Sequence, residues 1–278
     1  MRNDICERLK LAGIENYIFE AKIMEGHAKK YDLSLAELEN LVSRRIRREP
    51  LQYILGEWEF FCDPYKLNKH CLIPRPETEF LTEYIIKNAG PGACVLDLGS
   101  GSGCVSISAL KRRPDLRAAL IEISGGALEL SKENAELNGV YNRAEFYNLD
   151  IFGDFENIVK NIKAGMIVSN PPYLTAAEVA QVRSDKTELS HEPEAAFLGG
   201  ADGLDFYRFI IAHYSTAFGD GTATVFECGI NQGGAVSEMF CAIGFSCEIT
   251  RDFCGVERVV AGYRSKGNKK PIICAKGV

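Results

Sequence analysis

The chain has 278 residues, 46% hydrophobic and 25% charged, which suffices for a packed core and exceeds one average domain. Its formal net charge of -6 gives no global attraction to nucleic acid or an anionic membrane. Ten cysteines without a Cys-x-x-Cys pair, and four histidines at no ligand spacing, argue for reduced core thiols and against a disulfide framework or a metal site.

The opening MRNDICERLK lacks the apolar stretch of a signal peptide and carries acids that transit peptides avoid. No apolar run approaches the roughly 18 residues of a membrane span. A cytoplasmic, soluble, two-domain monomer is the expectation. Residues 1 to about 48 read as helices. In NYIFEAKIMEGHAKKY, Ile18, Phe19, Ile23 and Met24 recur at helical spacing. A second helix opens at Ser34, an N-cap with Glu37 completing a capping box, and carries an apolar stripe of Leu35, Leu38, Leu41, Val42 and Ile46. Pro50 ends it. Arg44, Arg45, Arg47 and Arg48 admit two readings: solvated cations at a helix C-terminus, or a contact for an acidic or nucleic-acid-containing partner.

From 51 to 73 the stretches QYILGEWEFF and YKLNKHCLI look β-like, with Asp63-Pro64 between them, and suggest a hairpin linking two domains. Pro74 and Pro76 bracket Arg75, and ETEFLTEYIIKNAG starts a helix that stops at Gly90. Strands and helices then alternate. ACVLDLGS, LRAALIEIS, AEFYNLDIF and AGMIVSNPPY are predicted strands; CVSISALKRR and GALELSKENAELNG are the helices among them. DGLDFYRFIIAHYSTAF is a later helix, followed by strands in GTATVFECG, SCEITRDFC and ERVVAGYR. The alternation predicts an α/β fold with a mostly parallel, doubly wound sheet and antiparallel strands added late. The polar tail KGNKKPIICAKGV is expected to be loosely held.

The first chemical motif is VLDLGSGSG, in which Gly99, Ser100, Gly101, Ser102 and Gly103 join a strand to a helix. Such a turn lets backbone approach a ligand closely and presents free N–H groups. The dinucleotide spacing G-x-G-x-x-G is not met, because Cys104 stands at its last position. Asp97 precedes the turn by two residues, and this tighter form resembles motif I of the S-adenosylmethionine-dependent methyltransferases. Glu122, at the end of the next strand, is suited to accept hydrogen bonds from both ribose hydroxyls. One strand later, Asp150 can accept from an adenine amino group and Ile151 can pack on the base. Each acid alone could be a solvated loop residue. Three in register after successive strands describe a pocket.

Asn170, Pro171, Pro172 and Tyr173 close the following strand on the same edge. This NPPY resembles the catalytic motif of methyltransferases that modify planar nitrogens, either the adenine exocyclic amine or the glutamine side-chain amide. With LIPRPETEFL (72–81) and HEPEAAFLGGADGLDFYR (191–208), nearly the whole chain resembles the release-factor glutamine methyltransferases. The chain departs from that pattern with Glu122 where Asp is commoner, Ile151 where an aromatic is frequent, and His191 where Tyr often precedes Glu-Pro.

The resemblance implies a seven-stranded Rossmann-like methyltransferase domain (74–278), a helical substrate-recognition domain (1–50) and a β-hairpin linker (51–73). It implies S-adenosyl-L-methionine as methyl donor, with S-adenosyl-L-homocysteine as product. It implies peptide chain release factors as protein substrates, methylated on the Gly-Gly-Gln glutamine in support of translation termination. Arg75 and Thr78 are further candidates at the methionine end. His191 and Glu192 either shape the substrate loop or pack it.

The residue types suit the chemistry. An amide nitrogen is a poor nucleophile whose two N–H groups need acceptors. The Asn170 side-chain oxygen and the Pro171 carbonyl supply two, prolines hold them still, and Tyr173 can stack on the flat amide. The alternative is an adenine-N6 methyltransferase on DNA or RNA. The acidic chain and the lack of a large recognition insert count against a direct nucleic-acid substrate. A fold retained as a non-catalytic interaction module, or a nicotinamide oxidoreductase, fits the intact motifs less well.

Overall fold

A computed structural model describes residues 2–185, 187–218 and 221–264. The tail expected to be loosely held, 266–278, lies outside the described residues. At the N-terminus, α1 (Arg2–Leu11), α2 (Tyr17–Lys30) and α3 (Leu35–Ile46) pack around Ile5, Leu9, Met24 and Val42. The capping box is present: the Glu37 N–H donates to Ser34 Oγ at 3.3 Å, and the Ser34 N–H to Glu37 Oε2 at 2.8 Å. The stripe expected on α2 is rotated. Ile18 and Phe19 are 63% and 56% exposed, while Ala21, Met24 and Ala28 point inward.

The stretch after Pro50 is not a strand at its start. Leu51–Leu55 forms α4, because the Pro50 carbonyl accepts the Tyr53 and Ile54 N–H groups and Gly56, in the left-handed region, stops the turn. An apolar run this short has no period that separates helix from strand. The hairpin is therefore smaller than expected: β1 (Glu57–Phe60) pairs antiparallel with β2 (Asp63–Lys66) across Phe61 and Cys62, both at positive φ. Pro64 falls within β2, opposite Glu59, rather than between strands.

The arginine cluster is largely occupied within the molecule. Arg44 pairs with Glu49 at 2.5 Å, and Arg48 donates to the Gly13 carbonyl at 2.9 Å. Buried Arg45 bridges Glu20 at 2.6 Å and Glu188 at 2.8 Å, tying the helical unit to a loop of the sheet-bearing unit. Arg47 is exposed.

After a 3-10 turn, Pro76–Thr78, α5 (Glu79–Asn88) leads into the alternating region. It comprises β3 (Cys94–Leu98), α6 (Cys104–Arg112), β4 (Arg117–Ile121), α7 (Gly125–Leu137), β5 (Ala144–Tyr147), α8 (Phe155–Asn161) and β6 (Met166–Ser169). There follow α9 (Ala176–Ser184), α10 (Asp205–Phe209), a π turn (Ile210–Tyr214) running into α11 (Ser215–Ala217), and β7 (Ala223–Glu227). The chain then forms α12 (Gly233–Ala242), β8 (Phe245–Arg251) and β9 (Glu257–Arg264). The sheet has seven strands in the order β5-β4-β3-β6-β7-β9-β8, parallel except where β9 pairs antiparallel with β7 and β8.

Alternation along the strands supplies two cores. Val95, Leu120, Met166 and Val225 face one side with Leu81, Ile85 and Leu110, while Leu96, Ile121, Ile167 and Phe226 face the other with Tyr207, Tyr214 and Phe240. Helices α8, α9 and α12 went unanticipated. Among them α9 carries a legible signal, the Thr175–Glu178 capping box. No helix among the described residues is long and apolar enough to cross a membrane.

Gly262 on β9 lies directly under Phe240, and a Cβ there would collide with the ring. Gly262→Ala should destabilise the fold by about 1–3 kcal/mol. Urea unfolding reads this as a lower midpoint; an unchanged midpoint would contradict the packing.

Candidate active site

Parallel strands β3, β4 and β6 deliver their carboxyl ends to one edge, where the strand order reverses between β3 and β6. A cavity of about 530 Å³ opens there. The turn after β3 is built from glycines for two reasons. At Gly103, φ is +77° and a Cβ would stand 2.7 Å from Ile107 Cδ1, so this residue packs inward as the start of α6. At Gly99 and Gly101, with φ of +75° and +55°, nothing lies within 4 Å of where a Cβ would be, so bare backbone faces open space. Ser100 Oγ is buried with no hydrogen-bond partner among the described residues.

Glu122 braces this turn. Its Oε2 accepts from the Gly101 N–H and its Oε1 from the Ser124 N–H, both at 2.8 Å. A carboxylate has about four lone-pair sites, so acceptor capacity remains for a ligand's hydroxyls. Asp97 also lines the cavity, accepting from Ser106 Oγ at 2.6 Å. Burial pushes its carboxyl up to about 7, the Ser106 hydrogen bond opposing and the charge of Glu122 assisting. Asp150 lines the cavity and accepts the Phe152 N–H at 2.9 Å. Ile151 is 8% exposed and belongs mostly to the core, its carbonyl accepting the Tyr214 hydroxyl at 2.8 Å. Sequence reading missed the rings beside it: Phe152 and Phe206 both line the cavity, edge to face with centroids 4.9 Å apart.

Of the predicted residues, Gly99, Ser100, Gly101, Ser102, Glu122, Asp150, Ile151 and Asn170 share this cavity, with Pro172 beside them. Gly103, Pro171 and Tyr173 are not on its wall. The Tyr173 ring instead passes Gly229, where a Cβ would lie 2.9 Å from Cδ2. Burial, then the neighbouring Glu227, pushes the Tyr173 phenol up to about 12.

The backbone after β6 is held from behind. Gln232 Nε2 donates to the Tyr173 carbonyl at 3.0 Å, and Gln232 Oε1 accepts the Gly229 N–H at 3.1 Å. A Cβ on Gly199 would stand 2.6 Å from the Pro172 carbonyl oxygen, and one on Gly203 would strike the Tyr173 carbonyl. The Leu174 N–H donates to the Phe197 carbonyl and the Gly199 N–H to the Leu174 carbonyl, each at 2.8 Å. The segment 197–203 is thus a scaffold moulded to NPPY.

Asn170 Nδ2 donates to Thr78 Oγ1 at 3.3 Å. Thr78 is buried on the cavity wall. Burial pushes the Glu227 carboxyl up to about 7, the neighbouring Thr78 hydroxyl opposing the shift. Arg75 does not line the cavity; it pairs at 2.5 Å with Glu192, whose other oxygen accepts the Ile73 N–H at 2.9 Å. Glu192, 2% exposed, is therefore a latch between segments 73–75 and 188–194, whereas His191 is exposed. Beyond that latch, a smaller cavity of about 310 Å³ adjoins the helical unit.

Residues 76–186 match the family model described as Methyltransferase small domain. The release factor glutamine methyltransferase of Geobacter sulfurreducens is 38% identical over 82% of this chain and 78% of its own length. That of Thermodesulfovibrio yellowstonii is 32% identical over 94% of this chain and 91% of its own. A solved methyltransferase from Pyrococcus furiosus shares the fold with a TM-score of 0.55 and 14% identity, over 74% of this chain and 91% of that one. By its kinship with these relatives over most of its length, the chain belongs to the release factor glutamine methyltransferases.

Proposed function

We propose that this protein transfers a methyl group from S-adenosyl-L-methionine to the side-chain amide nitrogen of the glutamine in the Gly-Gly-Gln motif of peptide chain release factors. The observation that carries the reading is the sharing of one cavity wall by Asn170 and the open glycine turn, in a chain of this family. When bound, S-adenosyl-L-methionine supplies an activated methyl group on a sulfonium and leaves as S-adenosyl-L-homocysteine. The open backbone at Gly99 and Gly101 and the unpartnered Ser100 hydroxyl suit its methionine portion. The spare acceptor capacity of Glu122 suits its ribose, and Asp150 with Ile151, Phe152 and Phe206 suits adenine.

The chain's own work is orientation. Asn170 Oδ1 and the Pro171 carbonyl accept the two amide N–H groups of the substrate and turn one face of the amide toward the cavity. Both acceptors are weak bases, so they position the amide rather than deprotonate it, and the nitrogen gives up one proton to solvent once methylated. Tyr173, outside the cofactor cavity, is the stacking surface on the substrate side. Positioning of this kind is worth up to about 7–11 kcal/mol in ideal intramolecular cases. A glutamate side chain offers no N–H donors and would leave both acceptors unpaired. We assign catalysis to residues 74–278, linkage to 51–73, and a grip on the protein substrate to 1–50. Of the arginine cluster, Arg44, Arg45 and Arg48 are engaged internally and only Arg47 is exposed, which counts against a nucleic-acid substrate.

Incubation with labelled S-adenosyl-L-methionine and either release factor or nucleic acid should label the Gly-Gly-Gln glutamine; label only on nucleic acid overturns the reading. Asn170→Ala should lower turnover by roughly 10²–10³, and near-normal turnover would remove its role. Glu122→Ala should chiefly weaken cofactor binding in calorimetry, with turnover at saturation less affected. A cationic ligand beside Asp97 favours its ionised form, so cofactor affinity should rise as pH passes upward through about 7. The expected gain is roughly three- to tenfold between about pH 6 and 8, flattened in Asp97→Asn. A wild-type affinity independent of pH would contradict this.

A further inference from the structure

The cofactor cavity has one wall that cannot hold itself. Pro193, Ala195 and Ala196 line it, and none of these side chains carries a hydrogen-bonding group. The place of this segment is therefore set at its ends. At the far end the Phe197 carbonyl accepts the Leu174 N–H at 2.8 Å, which joins the segment to the chain leaving β6. At the near end stand Glu192 and, before it, a 3-10 turn that opens at Glu188.

Arginines of both units hold that near end. Arg75 pairs with Glu192 at 2.5 Å, and Arg183 donates to the Glu192 carbonyl at 3.0 Å and to the Ser190 carbonyl. These two belong to the sheet-bearing unit. Arg45 does not: it stands on α3 of the helical unit and reaches Glu188 at 2.8 Å, with Arg48 at 3.6 Å from the same oxygen. Arg45 is 4% exposed and is fixed on its own side by both oxygens of Glu20, at 2.6 and 3.0 Å, and by the Glu49 carbonyl at 3.3 Å. A guanidinium clamped in this way is already aimed at its second partner and is little screened by salt, so the pair carries position from one unit to the other.

The cofactor cavity and the smaller one share the wall in question. Leu72 and Pro74 face the former while Ile73 and Arg75 face the latter, and Pro193 and Glu192 divide in the same way. Arg45 and Glu188 line the smaller cavity, behind that wall. Among the described residues, none before Lys69 lines the cofactor cavity.

We infer that Arg45 is a positioning residue for the cofactor cavity, acting across the two units through Glu188. The docked helical unit fixes the segment 193–196 and so raises cofactor affinity without touching the cofactor. The inference rests on the reading of this cavity as the S-adenosyl-L-methionine site, and it gives the helical unit a second task beside its grip on the protein substrate.

Calorimetry with S-adenosyl-L-homocysteine and the full chain, with no release factor present, tests it. Glu188→Ala, which removes the partner across the joint, should raise Kd roughly three- to tenfold. Glu20→Ala removes a partner of the same arginine inside the helical unit and should leave Kd within about twofold, whatever it does to the melting temperature. In the Arg45→Met background, Glu188→Ala should add at most about twofold, because both changes break one bridge. A wild-type Kd in Glu188→Ala, an equal loss in Glu20→Ala, or losses that multiply in the double variant would each overturn the inference. Should Arg45→Met fail to fold, the comparison of Glu188→Ala with Glu20→Ala decides alone. Wild-type protein that fails to bind S-adenosyl-L-homocysteine would instead overturn the reading of the cavity.

Discussion

The site depends on one stretch of backbone that has nowhere to go. Asn170–Tyr173 leaves β6 through two prolines, each with a fixed φ and no N–H. Glycines 199, 203 and 229 press against it where no Cβ fits, and the Gln232 amide holds its last carbonyl. Catalysis by orientation needs acceptors already in position, because any reorganisation during the reaction subtracts from the gain. A more polar or more mobile loop would offer the same atoms without the fixed geometry. The cost falls on sequence freedom, and it appears as the glycines of the segment 199–203.

The sheet supplies the second requirement, adjacency. Strands β3 and β6 are neighbours, so the glycine turn after one and NPPY after the other start about 5 Å apart. Their shared cavity follows from strand order, not from a long loop reaching across. Burial of both sheet faces keeps that edge rigid, with side chains alternating between two cores along every central strand. The same burial raises the carboxyls of Asp97 and Glu227 to near neutrality. Both acids thereby become responsive to whatever charge or hydrogen-bond donor is brought beside them.

Much of this was legible in the sequence because it is local. The alternation of strands and helices, the glycine turn, Glu122 and the position of Asn170 all follow from short-range pattern. What stayed hidden is tertiary. Leu51–Leu55 became helix because Pro50 offered a carbonyl to cap, a choice the apolar run does not encode. Ile18 and Phe19 fit a helical period but lie on its outer face, since periodicity gives a stripe and not its partner. Phe206, Gln232 and Glu227 sit 36 or more residues beyond Asn170, and no spacing rule joins them to it. Glu192 reads in the sequence either as shaping the substrate loop or as packing it, and only the assembled fold shows it latching that loop onto Ile73 and Arg75. Thr78 reads as a cofactor contact, and its hydrogen bond to Asn170 appears only once the two strands and the turn are assembled.

The central claim is geometric, and a structure tests it most directly. In a crystal of this protein with S-adenosyl-L-homocysteine and a Gly-Gly-Gln peptide, the glutamine amide nitrogen should lie about 3 Å from both Asn170 Oδ1 and the Pro171 carbonyl oxygen. The amide face should point toward the cofactor sulfur. A glutamine bound elsewhere, or one whose amide nitrogen contacts neither oxygen, would contradict the account.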